Sequence, residues 1–273
     1  MYDMIIVGAG PAGATFARLL GKDKKILLLD RRQLNKPSEL GTKNGLEKCC
    51  GGLIAPDAQQ MLARMGLGVP REVLVGPQIF TVRTIDVQNN LERYYQRHYI
   101  NIDREKFDSW LVSLIPPRVD VCWASSFKSF EQSPAGIRVR YISEGQEYEA
   151  ETRFLIGADG AASSVRRRLN PDIKLRKYVS IQEWFKVKYS TAYYSAIFDR
   201  EITDFYSWTI PKEKFLLVGA ALIPNDNAPR KFDLLKRKLE NYGFDLKDKV
   251  KRNGAFILRP RSGKQVYLGQ ENV

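Results

Sequence analysis

The glycines near the start of the chain, in the stretch VGAGPAG, have the spacing of a dinucleotide-binding turn. Gly8, Gly10 and Gly13 carry no side chains, so the backbone can turn tightly and a pyrophosphate can approach it closely. A helix beginning at Pro11 and Ala12 would present unpaired N–H groups and the positive end of its dipole to the phosphates. These five residues therefore form the first candidate site, and its chemistry is the binding of a nucleotide cofactor.

The elements that must position this turn form a βαβ unit. Residues 3–8 and 24–30 are apolar runs, and residues 12–20 between them have the apolar spacing of a helix. Continuous apolar strands are typical of a parallel sheet covered on both faces. Asp30 ends the second run about 20 residues after the glycine turn, where a carboxylate can accept hydrogen bonds from ribose hydroxyls. We assign the adjacent Arg31 to the same site. This pattern alone does not distinguish NAD from FAD as the bound cofactor.

A second set of residues indicates which cofactor is bound. Asp159 and Gly160 lie in GADGAASSVRR, between an apolar strand and a helical segment, and Arg104 lies in NIDREKFDSWL. With the glycine turn, these stretches resemble the FAD-dependent glutathione-reductase-like flavoproteins of the para-hydroxybenzoate hydroxylase type. In that superfamily the matching Asp-Gly lies beside the FAD pyrophosphate, and the matching Arg contacts the cofactor. The resemblance implies FAD, bound in part by these three residues, although Asp159 could also cap the following helix.

Two adjacent cysteines stand against two glycines in KCCGGLIAP, within a loop predicted over residues 31–55. The stretch resembles the Lys-Pro-Cys-Gly-Gly-Ala-Ile-Pro motif of the geranylgeranyl reductase branch, with Cys50 at the family's cysteine and Cys49 at its proline. Gly51 and Gly52 would let the backbone approach a flat ring closely. The resemblance places Cys50, Gly51 and Gly52 at the flavin and makes Cys50 the candidate catalytic residue. A buried, inert thiol is the alternative.

A fourth stretch, YSWTIPK, supports the same branch. Tyr206, Trp208 and Ile210 alternate, so a strand would direct them to one face, where they could wall an apolar pocket. The stretch resembles the Tyr-x-Trp-x-Phe-Pro-Lys signature of the geranylgeranyl reductases, with Ile210 in place of the Phe. In that family these residues line the lipid-substrate cavity, which implies that Tyr206, Trp208, Ile210 and Lys212 bind substrate. An aromatic stripe in the core would give the same pattern.

Other segments predict further elements. Residues 56–65 and 103–114 have helical patterns. A β-meander is predicted to end with a strand at residues 146–150, and a separate buried strand is predicted to start at Arg153.

These patterns predict an α/β fold (α+β overall) with two interleaved domains. A Rossmann-type FAD-binding domain, with a parallel sheet and a β-meander, would comprise residues 1–72 and 103–177. An antiparallel-sheet substrate domain would comprise residues 73–102 and 178–262. Residues 263–273 would begin a return to the FAD domain. Because the family's next Gly-Asp segment is not reached, we expect a truncated chain.

Composition limits the partners. The 273 residues are 44% hydrophobic and carry a net charge of +13, which would attract anionic membranes or phosphorylated ligands. No nucleic-acid module is recognisable, so we do not expect nucleic acid as a partner. One His and three Cys predict neither a metal site nor a disulfide framework. Without a recognisable signal peptide or spanning helix, the expected location is the cytoplasm, with peripheral membrane contact left open.

The resemblance implies an FAD-dependent reductase of C=C bonds in an isoprenoid or related lipid, with hydride supplied by the reduced flavin. NAD(P)H, ferredoxin and a quinol stay open as electron donors. A flavin-dependent monooxygenase or halogenase on the same fold is the alternative, since YSWTIP is close to the Trp-x-Trp-x-Ile-Pro stretch of halogenases. A third hypothesis is a non-catalytic chain that binds nucleic acid or a membrane partner through its charge. The sequence does not specify an oligomeric state.

Overall fold

The computed structural model describes residues 1–34, 48–173, 175–224, 226–259 and 272. The chain divides into two compact units. The first comprises Met1–Glu47, Glu105–Leu175 and Pro260–Val273, and the second comprises Lys48–Arg104 and Arg176–Arg259.

Both units contain a large sheet. In chain order the strands are β1 (Tyr2–Val7), β2 (Ile26–Leu29), β3 (Leu53–Ile54), β4 (Ile79–Asp86), β5 (Leu91–Asn101), β6 (Asp120–Cys122), β7 (Ser125–Ser133), β8 (Gly136–Ser143), β9 (Gln146–Gly157), β10 (Arg176–Lys186), β11 (Tyr193–Phe198), β12 (Ser207–Lys212), β13 (Phe215–Leu222) and β14 (Lys249–Arg259). The helices are α1 (Pro11–Leu20), α2 (Pro56–Arg64), α3 (Arg104–Ser113), α4 (Ser164–Leu169) and α5 (Ala228–Asn241), with a short 3-10 turn at Arg71–Val73. The predicted helices at residues 56–65 and 103–114 are confirmed as α2 and α3.

The sheet of the first unit has the order β6-β2-β1-β9-β8-β7. β6, β2, β1 and β9 are parallel, and β9, β8 and β7 form the antiparallel meander. Every side chain of β2 is buried, as expected for a strand covered on both faces. Successive side chains of β1 join different apolar clusters, Ile5 on one face and Ile6 on the other. The predicted Rossmann-type sheet with a meander is confirmed.

The meander and the parallel sheet share one strand, which corrects the predicted break between residues 150 and 153. β9 is continuous because it has different neighbours at its two ends. Its first half pairs with β8, its second half pairs with β1, and Thr152 pairs with both. The first half is exposed and the second half more apolar, so one strand has the sequence pattern of two.

The sheet of the second unit has the order β14-β10-β13-β12-β11-β4-β5-β3. It is antiparallel except for β4 and β11, which are parallel, so the predicted antiparallel sheet is in fact mixed. Parallel neighbours need a long crossover connection, and the chain between these two strands includes Glu105–Leu175 of the first unit. One face of the sheet packs against α5, whose Phe232 and Leu235 are buried in the same cluster as Phe185 and Val218.

The division between the units differs from the predicted domains most at one segment, and by two or three residues at the other boundaries. Residues 48–72 were assigned to the FAD domain but group with the second unit. β3 accounts for this, because Leu53 and Ile54 pair with the end of β5. Most of the predicted loop over residues 31–55 falls on positions outside the described ranges. So does the predicted return of residues 263–273 to the FAD domain, except for Asn272, whose carbonyl oxygen accepts from the N–H of Leu155 in β9 at 3.0 Å.

The tight packing of α1 on β1 gives a test of this fold. A Cβ atom on Gly13 would lie 1.8 Å from the carbonyl oxygen of Gly8, whereas a Cβ on Gly10 would meet nothing within 4 Å. We expect Gly13→Ala to lower the free energy of unfolding by about 1–3 kcal/mol, as overpacking does. Gly10→Ala, three residues away, should change it by less than about 0.5 kcal/mol. Urea unfolding followed by circular dichroism would measure both, and equal losses would contradict the assigned packing.

Candidate functional site

The glycine turn and the Asp159 stretch are adjacent in the first unit. Gly8 has φ +103°, a conformation that favours glycine. A Cβ on Gly8 would lie 2.5 Å from the carbonyl oxygen of Ala158. The Ala158 N–H donates to the carbonyl of Val7 at 2.8 Å. Two motifs about 150 residues apart in sequence thus follow neighbouring parallel strands and meet at one edge of the sheet.

The start of α1 has the features of a phosphate cradle. Gly10 is the N-cap and Pro11 opens the helix, and no side chain caps the exposed N–H groups. The N–H groups of Ala12 and Gly13 have no partner within the helix, because the first turn lacks preceding carbonyls. A Cβ on Gly10 would point into open space. The cradle therefore fits the diphosphate of a dinucleotide.

Asp159 caps the following helix with one carboxylate oxygen and leaves the other unpaired, and its contact with a cofactor stays a prediction. Its Oδ2 accepts from the N–H groups of Ser164 at 2.6 Å and Val165 at 3.4 Å, which caps the entry to α4. Its Oδ1 is buried and lacks a hydrogen-bond partner among the described residues. Gly160 follows with φ +78° and makes the turn possible. The free Oδ1 is an acceptor that suits a cofactor hydroxyl, so the residues of this unit fit FAD.

Asp30 accepts more hydrogen bonds from the protein itself than the sequence analysis predicted. Its Oδ2 accepts from the Ala9 N–H at 2.7 Å, and its two oxygens accept further hydrogen bonds from the backbone and side chain of Arg32. Four donors occupy the lone-pair positions of this carboxylate. In this structure Asp30 therefore holds the glycine turn to the end of β2, and its contact with a ribose stays a prediction.

Arg32, rather than Arg31, is the arginine that the structure anchors beside the turn. Arg31 is exposed, whereas Arg32 bridges Asp30 and Asp108, with Nη1 3.1 Å from the buried Asp108 carboxylate. The sequence analysis missed both Arg32 and Asp108. The available signal was the position of Asp108 on the apolar stripe of α3, next to Phe107.

In the second unit, the cysteine-glycine stretch lies against the strand that carries YSWTIPK. A Cβ on Gly51 would lie 2.4 Å from Cδ1 of Ile210. Gly52 has φ +63°, and a Cβ there would lie 2.3 Å from the carbonyl oxygen of Ile102 and 2.8 Å from Nζ of Lys212. All six residues of β12 are buried. The two stretches that separately resembled geranylgeranyl reductases are therefore in direct contact.

Lys212 anchors this contact. Its Nζ donates to the carbonyl oxygens of Gly52 at 3.1 Å and Ile102 at 2.8 Å, and the residue is only 4% exposed. Burial lowers the pKa of this ammonium from 10.5 to about 8. Lys212 was predicted to bind substrate, and that role stays a prediction. Its role in the structure is to hold the glycine segment in place.

The two neighbouring thiols have different surroundings. The Cys50 sulfur accepts from Nη1 of Arg104 at 3.4 Å and from the Gly52 N–H at 3.5 Å. The Cys49 sulfur lies 3.7 Å from Oγ of Ser180, and burial raises the pKa of the Cys49 thiol to about 11. Arg104 was expected at the cofactor, and in the structure it contacts the candidate catalytic cysteine. Both cysteines are free thiols.

The sheet face under this segment is aromatic. The ring centroids of Tyr206 and Trp208 are 5.5 Å apart. Tyr194 and Trp184 pack into the same cluster, and burial raises the pKa of the Tyr194 hydroxyl. The sequence analysis did not identify these last two residues. Alternation in the segment YVSIQEWF of β10 was the signal that Trp184 shares a face with Tyr178.

Neither a metal centre nor a membrane span is found in the described part of the chain. No group of three or more His, Cys, Asp or Glu side chains there is placed to hold a metal ion. No helix in the same ranges has both the length and the apolar character that crossing a membrane requires.

Solved structures confirm the flavoprotein fold. The chain superposes with a TM-score of 0.77 on a geranylgeranyl bacteriochlorophyll reductase-like protein (Ta0516) from Thermoplasma acidophilum, with 20% identity over 94% of this chain and 66% of that one. The TM-score is 0.70 for the flavin-dependent halogenase CmlS, with 16% identity over 94% of this chain and 49% of that one. It is 0.67 for aklavinone-11 hydroxylase in complex with FAD and aklavinone, with 16% identity over 96% and 56%. Because identity is low, these similarities establish the fold alone, and the chain spans two thirds or less of each protein.

Two comparisons of sequence are more specific. A family model described as an FAD binding domain matches residues 109–238, which supports FAD as the cofactor. Protein CbrA of Escherichia coli O9:H4 (strain HS) is 42% identical over 272 residues, which cover all of this chain and 72% of that protein. CbrA of Shigella flexneri serotype 5b (strain 8401) is 41% identical over the same length and share. The chain therefore belongs to the CbrA family.

Proposed function

We propose that this chain belongs to an FAD-dependent oxidoreductase that reduces C=C bonds of an isoprenoid or related lipid. The observation that carries the proposal is the contact of Gly51 with Ile210, where a Cβ on the glycine would lie 2.4 Å from the isoleucine side chain. It joins the two stretches that resemble the geranylgeranyl reductases. A segment without side chains over an apolar, aromatic face suits the binding of a flat or apolar ligand.

Residues of the first unit would hold the cofactor. The start of α1 would receive the diphosphate, Gly10 leaves the space that it needs, and Oδ1 of Asp159 offers an acceptor to a hydroxyl. When bound, FAD supplies hydride-transfer chemistry. Its electron donor, whether NAD(P)H, ferredoxin or a quinol, stays open, and a chemical reductant takes its place in the assay below.

Residues of the second unit would bind and orient the lipid. Trp208 and Ile210 are buried on one face of β12 and would exclude water from an apolar chain. Lys212 holds the glycine segment through Gly52. Arg104 and the Gly52 N–H orient the Cys50 sulfur, which could hold or release a proton at that atom. The net charge of +13 would favour contact with an anionic lipid surface.

A flavin-dependent monooxygenase or halogenase is the second candidate. It is favoured by the stretch YSWTIP and by the shared fold with CmlS and aklavinone-11 hydroxylase. A fold supports many activities, so only an assay separates these classes. Consumption of oxygen coupled to substrate, with or without halide, would favour this candidate.

The proposed activity can be tested directly. FAD-loaded protein, reduced with dithionite in the absence of oxygen, should convert geranylgeraniol to a product heavier by one H2 per turnover, detected by mass spectrometry. E. coli CbrA should be assayed in parallel, because it is 42% identical to this chain. Absence of saturated product with both proteins would refute lipid reduction, and a hydroxylated or halogenated product under oxygen would establish the second candidate.

The cofactor cradle predicts the effect of Gly10→Val. The added side chain would occupy the space kept for the diphosphate without a clash inside the protein. We expect affinity for FAD to fall at least about tenfold, which corresponds to about 1.4 kcal/mol, while the circular dichroism spectrum stays unchanged. Flavin absorbance after gel filtration would measure binding. Gly68→Val is the matched control, since Gly68 also has nothing within 4 Å of a Cβ. Normal flavin content in Gly10→Val would refute the assigned cradle.

The buried Lys212 ammonium predicts a pH dependence of stability. Its pKa is about 8 in the folded protein and 10.5 without burial, so the unfolded chain binds more protons between these pH values. The free energy of unfolding of the wild type should therefore rise with pH in this window relative to Lys212→Met, because the cost of the buried charge disappears. Urea unfolding at several pH values would measure the difference. Lys214→Met, at an exposed position, should follow the wild type, and parallel curves for wild type and Lys212→Met would contradict the assignment.

A further inference from the structure

The face of the second unit under the cysteine-glycine segment carries polar groups on three strands, which a glycine of a fourth strand joins in one row of paired residues. Gln182 of β10 pairs with Asn253 of β14 on one side and with Gly219 of β13 on the other, and Gly219 pairs with Trp208 of β12. Directly paired residues share a face. These directly paired residues form one row across the sheet. Trp184 lies two residues from Gln182 along β10, on the same face and in the next row.

Four polar atoms in these two rows are buried and unpaired. Oε1 of Gln182, Oδ1 of Asn253, and the Nε1 atoms of Trp184 and Trp208 have no hydrogen-bond partner within the described ranges. Gln182 is 2% exposed and Trp208 is 8% exposed. Each such group loses its hydrogen bonds to water on burial, which destabilises the folded protein when nothing replaces them. Because folded proteins leave few of them, a cluster of two acceptors and two donors requires an explanation.

The cluster is denser than anything on the opposite face of the same strands. That face is mainly apolar, with side chains such as Ile181, Phe185 and Val218. Oγ1 of Thr209 is buried there without a partner among the described residues. On the polar side, Gly219 leaves space for the Trp208 indole, and a Cβ there would lie 2.4 Å from Nε1. The edge of the Trp208 indole ring that carries the N–H therefore lies over β13, between β12 and β10.

The cysteine-glycine segment crosses this face beside the cluster. The Cys49 sulfur lies 3.7 Å from Oγ of Ser180, two residues before Gln182 on the same face of β10. Gly51 reaches Ile210 on β12, two residues after Trp208. The backbone freedom of Gly51 and Gly52 would allow this segment to move when a ligand enters.

We propose that the four groups bind the polar head of the lipid substrate, and that this head is a neutral hydroxyl. The inference rests on the proposed function and specifies its substrate class. A hydroxyl has two lone pairs and one hydrogen, so it can accept from both indole N–H groups and donate to one amide oxygen, which pairs three of the four groups. A diphosphate head would place an anion against the two amide oxygens, which disfavours it. Lys251, which pairs with Trp184 on this face, adds a positive charge beside the cluster, so the diphosphate probe below is the decisive comparison. A hydrocarbon would leave all four groups unpaired.

The test compares three probes with the same C20 tail: geranylgeraniol, its deoxy analogue ending in a methyl group, and geranylgeranyl diphosphate. Binding is followed by the fluorescence of the tryptophans, independently of turnover. We expect geranylgeraniol to bind at least tenfold more tightly than the other two probes. Failure of geranylgeraniol to show this preference, including failure of all three to bind, overturns the inference.

Two variants test whether Gln182 and Trp208 cause the preference for the alcohol. Gln182→Leu and Trp208→Phe, which each remove one of the polar groups, should lower affinity for the alcohol several-fold and leave affinity for the deoxy analogue unchanged. Without ligand, Gln182→Leu should unfold at a higher temperature than the wild type, because an unpaired buried amide is removed. A lower unfolding temperature, or an equal loss of affinity for both probes, would assign Gln182 a structural role instead. Gln60→Leu, at an exposed position on α2, is the matched control.

Failure of this inference is distinguishable from failure of the proposed function. Preference for the alcohol in binding without saturation of its double bonds would support the polar-head site and refute the reductase. Saturation of the alcohol and the deoxy analogue at equal rates would support the reductase and refute the polar-head site.

Discussion

The close approach of backbone to backbone at Gly8 is the constraint on which the first unit depends. β1 pairs in parallel with both β2 and β9, so the ends of all three strands lie at the same edge of the sheet. The chain can leave β1 there only because Gly8 and Gly13 have no Cβ, since a Cβ on either would overlap a backbone carbonyl. The glycine turn, Asp30 and Asp159 follow these three strands and meet at this edge, where open α/β sheets bind their ligands.

Much of this arrangement could be predicted because it is local. The strand, turn and helix around Gly10 and the helix cap at Asp159 depend on residues within a few positions of each other. The identity of the anchored arginine could not be predicted in this way. Arg31 and Arg32 are adjacent and chemically equal, and only the buried Asp108, which α3 supplies from a distant part of the chain, distinguishes them.

The larger differences arise where pairing is not local. β3 is two residues long and has no pattern of its own, yet its pairing with β5 assigns residues 48–72 to the second unit. β9 has two different neighbours along its length and therefore two hydrophobic patterns. The contact of Gly51 with Ile210 joins residues about 160 positions apart, so the sequence suggested each stretch but not their meeting. Register and pairing decide these features, and a single sequence carries little information on either.

The two faces of β10 differ in how their buried polar groups are paired. Glu183 is fully buried on the face that packs against α5, and Lys236 and Arg252 lie 3.0 Å and 3.3 Å from its carboxylate. Its charge is compensated, as stability requires. Gln182 and Trp184, its immediate neighbours, point to the opposite face, where their buried polar atoms have no partner in the described structure. On the α5 side the chain supplies cations that pair with the buried charge, whereas on the opposite side the described residues supply no group that pairs with these uncharged atoms. The polar-head site proposed above would give these atoms a partner.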